Sequence, residues 1–409
     1  MDHRPAATPV LKPRLLLWVL AAVQFTHILD FMIVMPLGAH LMQALGTTPT
    51  QFSWLVAAYG LAAALAGFLG GFVIDRFDRR TALLTLYAGF GLATLACALA
   101  PTYQALLAAR FAAGAFGGVA GSVVASMVGD VIEPGRRGRA TAVVASAFPL
   151  ASILGVPAGL GLAARFDWQA PFFLIAALAA VVLAVAYRTV PSLRSDHPVE
   201  HPFRQMRLIL SYNLHQRGFL MSAMLVFAGS CVIPFMAPAM VANVGLTETQ
   251  LPLIYLAGGM ATLVSTPLLG RLTDQFDKLH VLAAVSLGAA AVVFFLTRMT
   301  ATSVTAAMGM TALFMVAMSG RFSPAMAMLT NAVDARYRGG FMSVNAAVQQ
   351  AAGGLANIVA GALVTRGPGG QLEGYSRVGL LSIACFGLTV LLAARVRAVA
   401  PHAARAAAP

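Results

Sequence analysis

Gly71-Phe72-Val73-Ile74-Asp75-Arg76-Phe77-Asp78-Arg79-Arg80 returns in weaker form as Gly270-Arg271-Leu272-Thr273-Asp274-Gln275-Phe276-Asp277-Lys278. The register that lays Gly71 on Gly270 also lays Asp75 on Asp274, Phe77 on Phe276 and Asp78 on Asp277. It further joins Thr50-Gln51 to Thr249-Gln250 and Gly60 to Gly259, so a whole helix and the segment after it are repeated. A repeat near half the chain length describes two related halves, and in a very apolar chain that points to a transporter. Each copy is expected to form a tight charged loop closing a long hydrophobic run.

The apolarity is plain in the composition. Of 409 residues, 59% are hydrophobic and 10% charged, with a mean hydropathy of +0.81. A soluble protein carries roughly 25% charged residues, so most of this chain belongs in lipid. A helical span needs about 20 apolar residues. Runs of that kind cover 15–37, 52–74, 81–100, 103–129, 140–163 and 171–190, then 217–240, 251–273, 279–298, 304–330, 340–364 and 376–397. Lone Gly and Pro do not demote these runs, because neighbouring helices can satisfy freed backbone groups. The expected fold is an all-α membrane protein of twelve transmembrane helices in two pseudo-symmetric six-helix bundles. The bundles would occupy 1–190 and 217–409, the second ending in a short cytoplasmic tail. Residues 191–216 would be the cytoplasmic link, its later part from Phe203 to Tyr212 forming either a short interfacial helix or a flexible tether.

A net charge of +13 could suggest nucleic acid, but the distribution rejects it. Of 27 Lys and Arg residues, only Arg165, Arg298, Arg366 and Arg377 fall on one side of the expected topology, and Arg110 and Arg321 lie inside runs. The others share the opposite side. That asymmetry is the positive-inside rule, and it puts both termini in the cytoplasm of a bacterial-type inner membrane. Cys97, Cys231 and Cys385 all fall within apolar runs and read as packing residues rather than disulfide partners or metal ligands. The first run is too long for a secretory signal and is expected to be the first membrane helix. All other loops are short, and no Gly-x-x-x-x-Gly-Lys-Ser/Thr phosphate loop occurs. An enzyme, a cofactor and a metal site are therefore not expected, and energy should come from an ion or substrate gradient.

The duplicated segment resembles the loop between the second and third helices of the major facilitator superfamily, whose pattern is Gly-x-Leu-Ala-Asp-Arg-x-Gly-Arg-Lys/Arg. A second charged signal, Asp130-Val131-Ile132-Glu133-Pro134-Gly135-Arg136-Arg137-Gly138-Arg139, is echoed by Asp334-Ala335-Arg336-Tyr337-Arg338. Both would lie on the cytoplasmic face. There Gly71, Asp75, Arg76, Arg79, Asp130 and Arg136, with Gly270, Asp274 and Arg336, would form a gate held by inter-helix ion pairs. The alternative is that these charges only satisfy topology and helix ends.

Among fourteen acidic residues only Asp30 lies well inside a span. A charge there costs roughly 2.5–3.5 kcal/mol on insertion scales, so it is a functional candidate by default. Counting from Leu15 at 1.5 Å per residue, Asp30 sits about 22 Å along its helix, beyond the midplane. Gln24, His27 and Asp30 are spaced by three and share one helix face directed into the bundle. Asp30 either binds a proton on one side and releases it on the other, or is permanently paired and pins its helix. His27 is either a proton relay or a neutral hydrogen-bonding residue.

Arg110 stands in Leu106-Leu107-Ala108-Ala109-Arg110-Phe111-Ala112-Ala113-Gly114-Ala115-Phe116-Gly117-Gly118. This resembles the Arg-x-x-x-Gly motif on helix 4 of the proton-coupled drug-efflux branch. By that resemblance Arg110 would assist proton transfer and Asp30 would match a helix 1 acid. Helix 5 carries Ala151-Ser152-Ile153-Leu154-Gly155-Val156-Pro157-Ala158-Gly159, a departure from the efflux signature Gly-x-x-x-Gly-Pro-x-x-Gly-Gly. With Asp167-Trp168-Gln169-Ala170-Pro171-Phe172 it looks more like the arabinose-efflux-like permeases of that branch. Gly155 and Gly159 would permit close packing against a facing helix, and Pro157 a bend.

Substrate-cavity candidates are Gln24, Phe31, Tyr59, Arg321, Asn345 and Gln349. Arg321, deep in helix 10, would meet an anionic substrate group, pair with carbonyls freed by Pro324, or reach the cytoplasmic interface. The resemblance implies a monomeric secondary transporter exporting a small drug or metabolite by proton antiport and alternating access. Alternatives are a symporter or uniporter importing a sugar or metabolite, and, from another class, a channel or membrane sensor.

Overall fold

The computed structural model describes residues 13–70, 77–132, 136–192, 202–334 and 337–399. Gly71, Asp75 and Arg76 of the first gate segment, and Arg336 of the second, lie outside the described residues. Within the described residues each predicted apolar run is mostly helix. The first half holds α1 (Pro13–Ile33), a short α2 (Gly38–Ala44), α3 (Pro49–Gly70), α4 (Arg79–Ala98) and α5 (Tyr103–Val131). The fifth run is built from α6 (Arg137–Ala145), α7 (Ala147–Leu150), a π-helical turn (Ala151–Gly155) and α8 (Val156–Arg165), and α9 (Ala170–Thr189) follows. After α10 (Pro202–Ser211) come α11 (Asn213–Ala242), α12 (Leu251–Gln275), α13 (Lys278–Leu296), α14 (Val304–Gly320) and α15 (Phe322–Ala332). A long α16 (Arg338–Leu363), a two-residue hairpin (β1 Thr365–Arg366, β2 Leu372–Glu373) and α17 (Tyr375–Val399) complete the chain. Among the described residues, eleven helical segments are long and apolar enough to cross a membrane. The twelfth predicted span, α16, is 26 residues long, but Asn345, Gln349, Gln350 and Asn357 dilute its apolarity.

The sequence repeat is also a repeat of local structure. Gly46 and Gly245, equivalent in the duplication, both adopt positive φ (59° and 83°), which glycine tolerates without a Cβ clash. Each is followed by a reciprocal cap. Thr48 N–H donates to Gln51 Oε1 (2.9 Å) and Gln51 N–H to Thr48 Oγ1 (3.2 Å), and Thr247 and Gln250 form the corresponding capping box. At the other end, Asp78 and Asp277 cap α4 and α13 with matching backbone angles (φ −59°, ψ 129° and φ −59°, ψ 124°). The expected charged loop is shorter than its sequence signature in the second copy. Gly270 to Gln275 continue α12, because nothing there breaks its hydrogen-bond ladder, and only Phe276 and Asp277 form the turn.

Helices of the first half pack on one another through α3–α5, α4–α5, α4–α9 and α1–α9, and those of the second through α11–α17, α12–α14 and α11–α16. The halves meet along α3–α16 and where α8 and the π turn lie on α12. The α3–α16 approach is tight because small residues face backbone. A Cβ on Gly354 would lie 2.6 Å from Leu61, and one on Gly361 would meet Ser53. Thr50 Oγ1 donates to the Gly361 carbonyl across the same seam (2.8 Å). His40 of α2 adds a polar tie: Nδ1 stands 3.2 Å from Glu248 Oε2 and Nε2 3.5 Å from Asp167 Oδ1. All these ties fall at the end of the bundle away from the basic loops.

Candidate functional site

Asp30 and Arg110 form an ion pair in which both side chains are at most 1% exposed. Arg110 Nη1 donates to Asp30 Oδ2 (2.7 Å) and to the Asp30 carbonyl (3.1 Å), while Thr94 Oγ1 donates to Oδ1 (3.4 Å). Among the described residues no oxygen or nitrogen acceptor meets Arg110 Nε or Nη2. In place of acceptors the guanidinium lies over the Tyr59 ring, 4.6 Å from its centroid. Tyr59 hydroxyl then meets His27 Nδ1 at 2.8 Å. Helices α1, α3, α4 and α5 thus contribute Asp30 and His27, Tyr59, Thr94, and Arg110 in turn.

The glycines of α5 make this convergence possible. A Cβ on Gly114 would strike the carbonyl oxygen of Tyr59 and stand 2.7 Å from its Cα, so only glycine lets α3 approach. A Cβ on Gly117 would sit 2.6 Å from the Tyr59 hydroxyl. Gly121, one turn on, faces His27 Nε2 and Gln24 Oε1. Residues 114, 117, 118 and 121 share one helix face. That spacing was the sequence signal for a close helix contact beside Arg110, although it does not name Tyr59 as the partner.

A cavity of about 470 Å³ is lined by residues of both halves. Phe31 and Arg321 are among the residues that line it. The other four cavity candidates do not line it: Tyr59 and Gln349 bond to neighbouring helices, while among the described residues Gln24 Oε1 and Asn345 Oδ1 are buried without a hydrogen-bond partner. Tyr59 is fully buried behind Phe31, whose ring centroid is 5.4 Å away. Gln24 faces Gly121. Gln349 donates to Ser222 Oγ on α11 (2.7 Å), and Asn345, one turn earlier on α16, is buried. Ser152 and Tyr255, which the sequence reading passed over, are on the cavity wall.

Helix 5 contains a π turn over Ala151–Gly155, just ahead of Val156 and Pro157. The helix that Gly155 and Gly159 face is α1: added Cβ atoms would lie 2.7 Å from Leu29 and 2.6 Å from Ile33. Among the gate residues, Arg79 Nε pairs with Asp130 Oδ2 at 3.3 Å, joining the start of α4 to the end of α5. This pair lies within one half rather than across the two, because both helix ends belong to the same packed set. Arg136 is exposed ahead of α6, and Asp274 is exposed near the end of α12.

Repeated helical halves enclosing a cavity, with eleven helical segments long and apolar enough to cross a membrane among the described residues, fit a membrane transporter. The chain belongs to the Major Facilitator Superfamily, whose sequence pattern matches residues 20–230 and 218–409. It is 24% identical over 278 residues to the uncharacterized MFS-type transporter YceJ of Bacillus subtilis, covering 65% of this chain and 68% of that one. It is 33% identical over 168 residues to the methylenomycin A resistance protein of Streptomyces coelicolor, covering 41% of this chain and 35% of that relative's length. The structure resembles that of a D-xylose-proton symporter with a TM-score of 0.75 and 17% identity, over 95% of this chain and 98% of that one. At that identity the likeness speaks for the fold alone.

Proposed function

We propose that this chain is a monomeric inner-membrane exporter of small organic compounds that exchanges them for protons by alternating access. The observation that carries the reading is the Asp30–Arg110 pair. It is sealed from solvent inside one half of the molecule, yet its guanidinium rests on Tyr59, whose ring packs on Phe31 of the cavity wall. An ionisable pair at that depth is expensive to bury and is placed where its charge state can be felt by a substrate. A proton on Asp30 would release Arg110, whose guanidinium rests on Tyr59, and Phe31 would carry the rearrangement to the cavity wall. His27, bonded to the Tyr59 hydroxyl, is the proton's route or its structural support. The resistance protein among the relatives supports export rather than uptake.

In this reading α1 to α9 and α11 to α17 form two six-helix bundles joined by residues 191–216, with both termini cytoplasmic. The seam between Pro49–Leu61 and Gly354–Gly361 is then the closed outer gate, and the conformation faces inward. The repeated segments around Asp75 and Asp274 serve as inner latches, with Arg79 and Asp130 bracing the first of them. The test is proton flux in everted vesicles. After acidification of the lumen, adding a transported compound should release lumenal protons, and Asp30→Asn should abolish that release while the protein remains in the membrane. Unchanged proton-coupled release in Asp30→Asn would overturn the assignment, and substrate-driven proton movement in the opposite sense would mark a symporter.

A further inference from the structure

From the cavity wall we infer that the compound taken by this chain is a small amphipathic monoanion, its carboxylate held by Arg321. The inference rests on the cavity being the substrate site, and not on proton coupling at Asp30. Arg321 is 1% exposed and is the sole charged residue among those lining the cavity. One of its nitrogens, Nη2, donates to Met318 Sδ at 3.0 Å, and the guanidinium lies 4.2 Å from the Phe386 ring centroid. Nε and Nη1 have no hydrogen-bond partner. The carbonyls released by Pro324 therefore do not take up its donors, and no carboxylate pairs with it among the described residues.

With Nε and Nη1 unpartnered among the described residues and one N–H of Nη2 on Met318, the buried guanidinium keeps donors for an anionic oxygen, and a carboxylate is the planar anion such a group recognises. Two more unpartnered donors stand on the same wall, Ser152 Oγ and the Tyr255 hydroxyl, 2% and 4% exposed. They come from opposite halves of the molecule, helix 5 and α12, so a ligand bonded to them would be gripped from both sides. The rest of the lining is apolar or weakly polar, with Phe31, Phe148, Phe314, Met32, Met236 and Met315 prominent. Thioether and aromatic side chains fit an apolar body of variable outline. One cation in an apolar chamber calls for one negative charge on an otherwise hydrophobic compound.

Equilibrium binding of 1-naphthylacetate and its neutral amide to purified full-length protein in detergent tests the assignment. The wild type should bind the carboxylate at least about tenfold more tightly than the amide, as expected for a charge-assisted pair over a neutral one. Arg321→Gln should bind both alike, and Arg321→Lys should keep part of the preference, since it retains the charge without the planar guanidinium. Should Arg321→Gln fail to give monodisperse protein, the Ser152→Ala/Tyr255→Phe variant should narrow the preference by a smaller factor. Equal binding of acid and amide by the wild type, no binding of either, or an unaltered preference in Arg321→Gln would each overturn the proposal. So would displacement of the carboxylate by chloride at equal concentration, which would mark a general anion site. Because no proton gradient is present, loss of coupling in vesicles leaves this result standing, and its failure leaves the proton reading intact.

Discussion

Replacing Asp30 by Asn keeps the shape of the side chain and removes its charge, so it isolates what the buried carboxylate does for Arg110. Both hydrogen bonds made by Arg110 end on Asp30, one on the carboxylate at 2.7 Å and one on the backbone carbonyl at 3.1 Å. Beyond these bonds the guanidinium rests on the Tyr59 ring and has the Cys97 thiol beside it. Breaking a buried pair by removing one member costs about 3–5 kcal/mol, since the surviving charge is left in a low-dielectric interior. The carbonyl bond and the cation–π contact survive in the variant, and the latter is worth about 2 kcal/mol when desolvated. The lower end, about 3 kcal/mol, is therefore expected. At about 2–4 °C per kcal/mol for a unit of 150–250 residues, the thermal midpoint should fall by roughly 6–12 °C. Arg110→Gln should cost a similar amount by stranding the carboxylate. The double variant Asp30→Asn/Arg110→Gln places two neutral amides together and should recover at least about 2 kcal/mol relative to the sum of the single changes. The measurement is thermal unfolding of purified protein in detergent, followed by modification of the buried cysteines with a thiol-reactive dye. Strict additivity of the two single variants would show that the charges do not depend on one another, and the reasoning would fail.

Other substitutions probe the packing around that pair. Gly114→Ala should destabilise by about 1–3 kcal/mol or prevent folding through its collision with the Tyr59 backbone. Gly129→Ala in the same helix, where an added Cβ meets nothing within 4 Å, should be neutral or stabilising by up to about 1 kcal/mol, as the same unfolding assay would show. Tyr59→Phe removes the hydroxyl that bonds His27 and should cost about 0.5–1.5 kcal/mol while leaving the ring beneath Arg110. Alanine at Asp78 and at Asp277 should each cost about 1 kcal/mol, as the same unfolding assay would show, because each carboxylate caps the first turn of its helix. His40→Ala severs a tie between the halves, so a cysteine placed at the fully buried Ser53 should react faster with a membrane-impermeant maleimide; an unchanged rate would mean that the α3–α16 seam alone holds that end closed.

The helices and their duplication were legible in the sequence because both depend on local properties. Runs of about twenty apolar residues must be helical in lipid, where no water can satisfy the backbone. Turns need glycine at positive φ and caps need Thr, Gln or Asp, and these recur in register at Gly46 and Gly245, Thr48 and Thr247, and Asp78 and Asp277. The loneliness of Asp30 among the spans, and the presence of Arg110 at a comparable depth, also made that pair legible. Partners several helices apart were not. Whether Tyr59 faces the cavity or lies under Arg110 depends on how far α3 rotates against α5, which Gly114 and Gly117 set only once the two helices are docked. The same holds for Gln349, which spends its amide on Ser222, and for Arg79, whose acid is Asp130 within its own half. The duplicated segment that betrayed two halves could not say where they touch or what they enclose. Side-chain direction relative to a distant helix is a property of the assembled bundle, so the sequence determined the helices and their repeat, while tertiary packing alone made Arg321 the one cation among the described residues lining an apolar chamber.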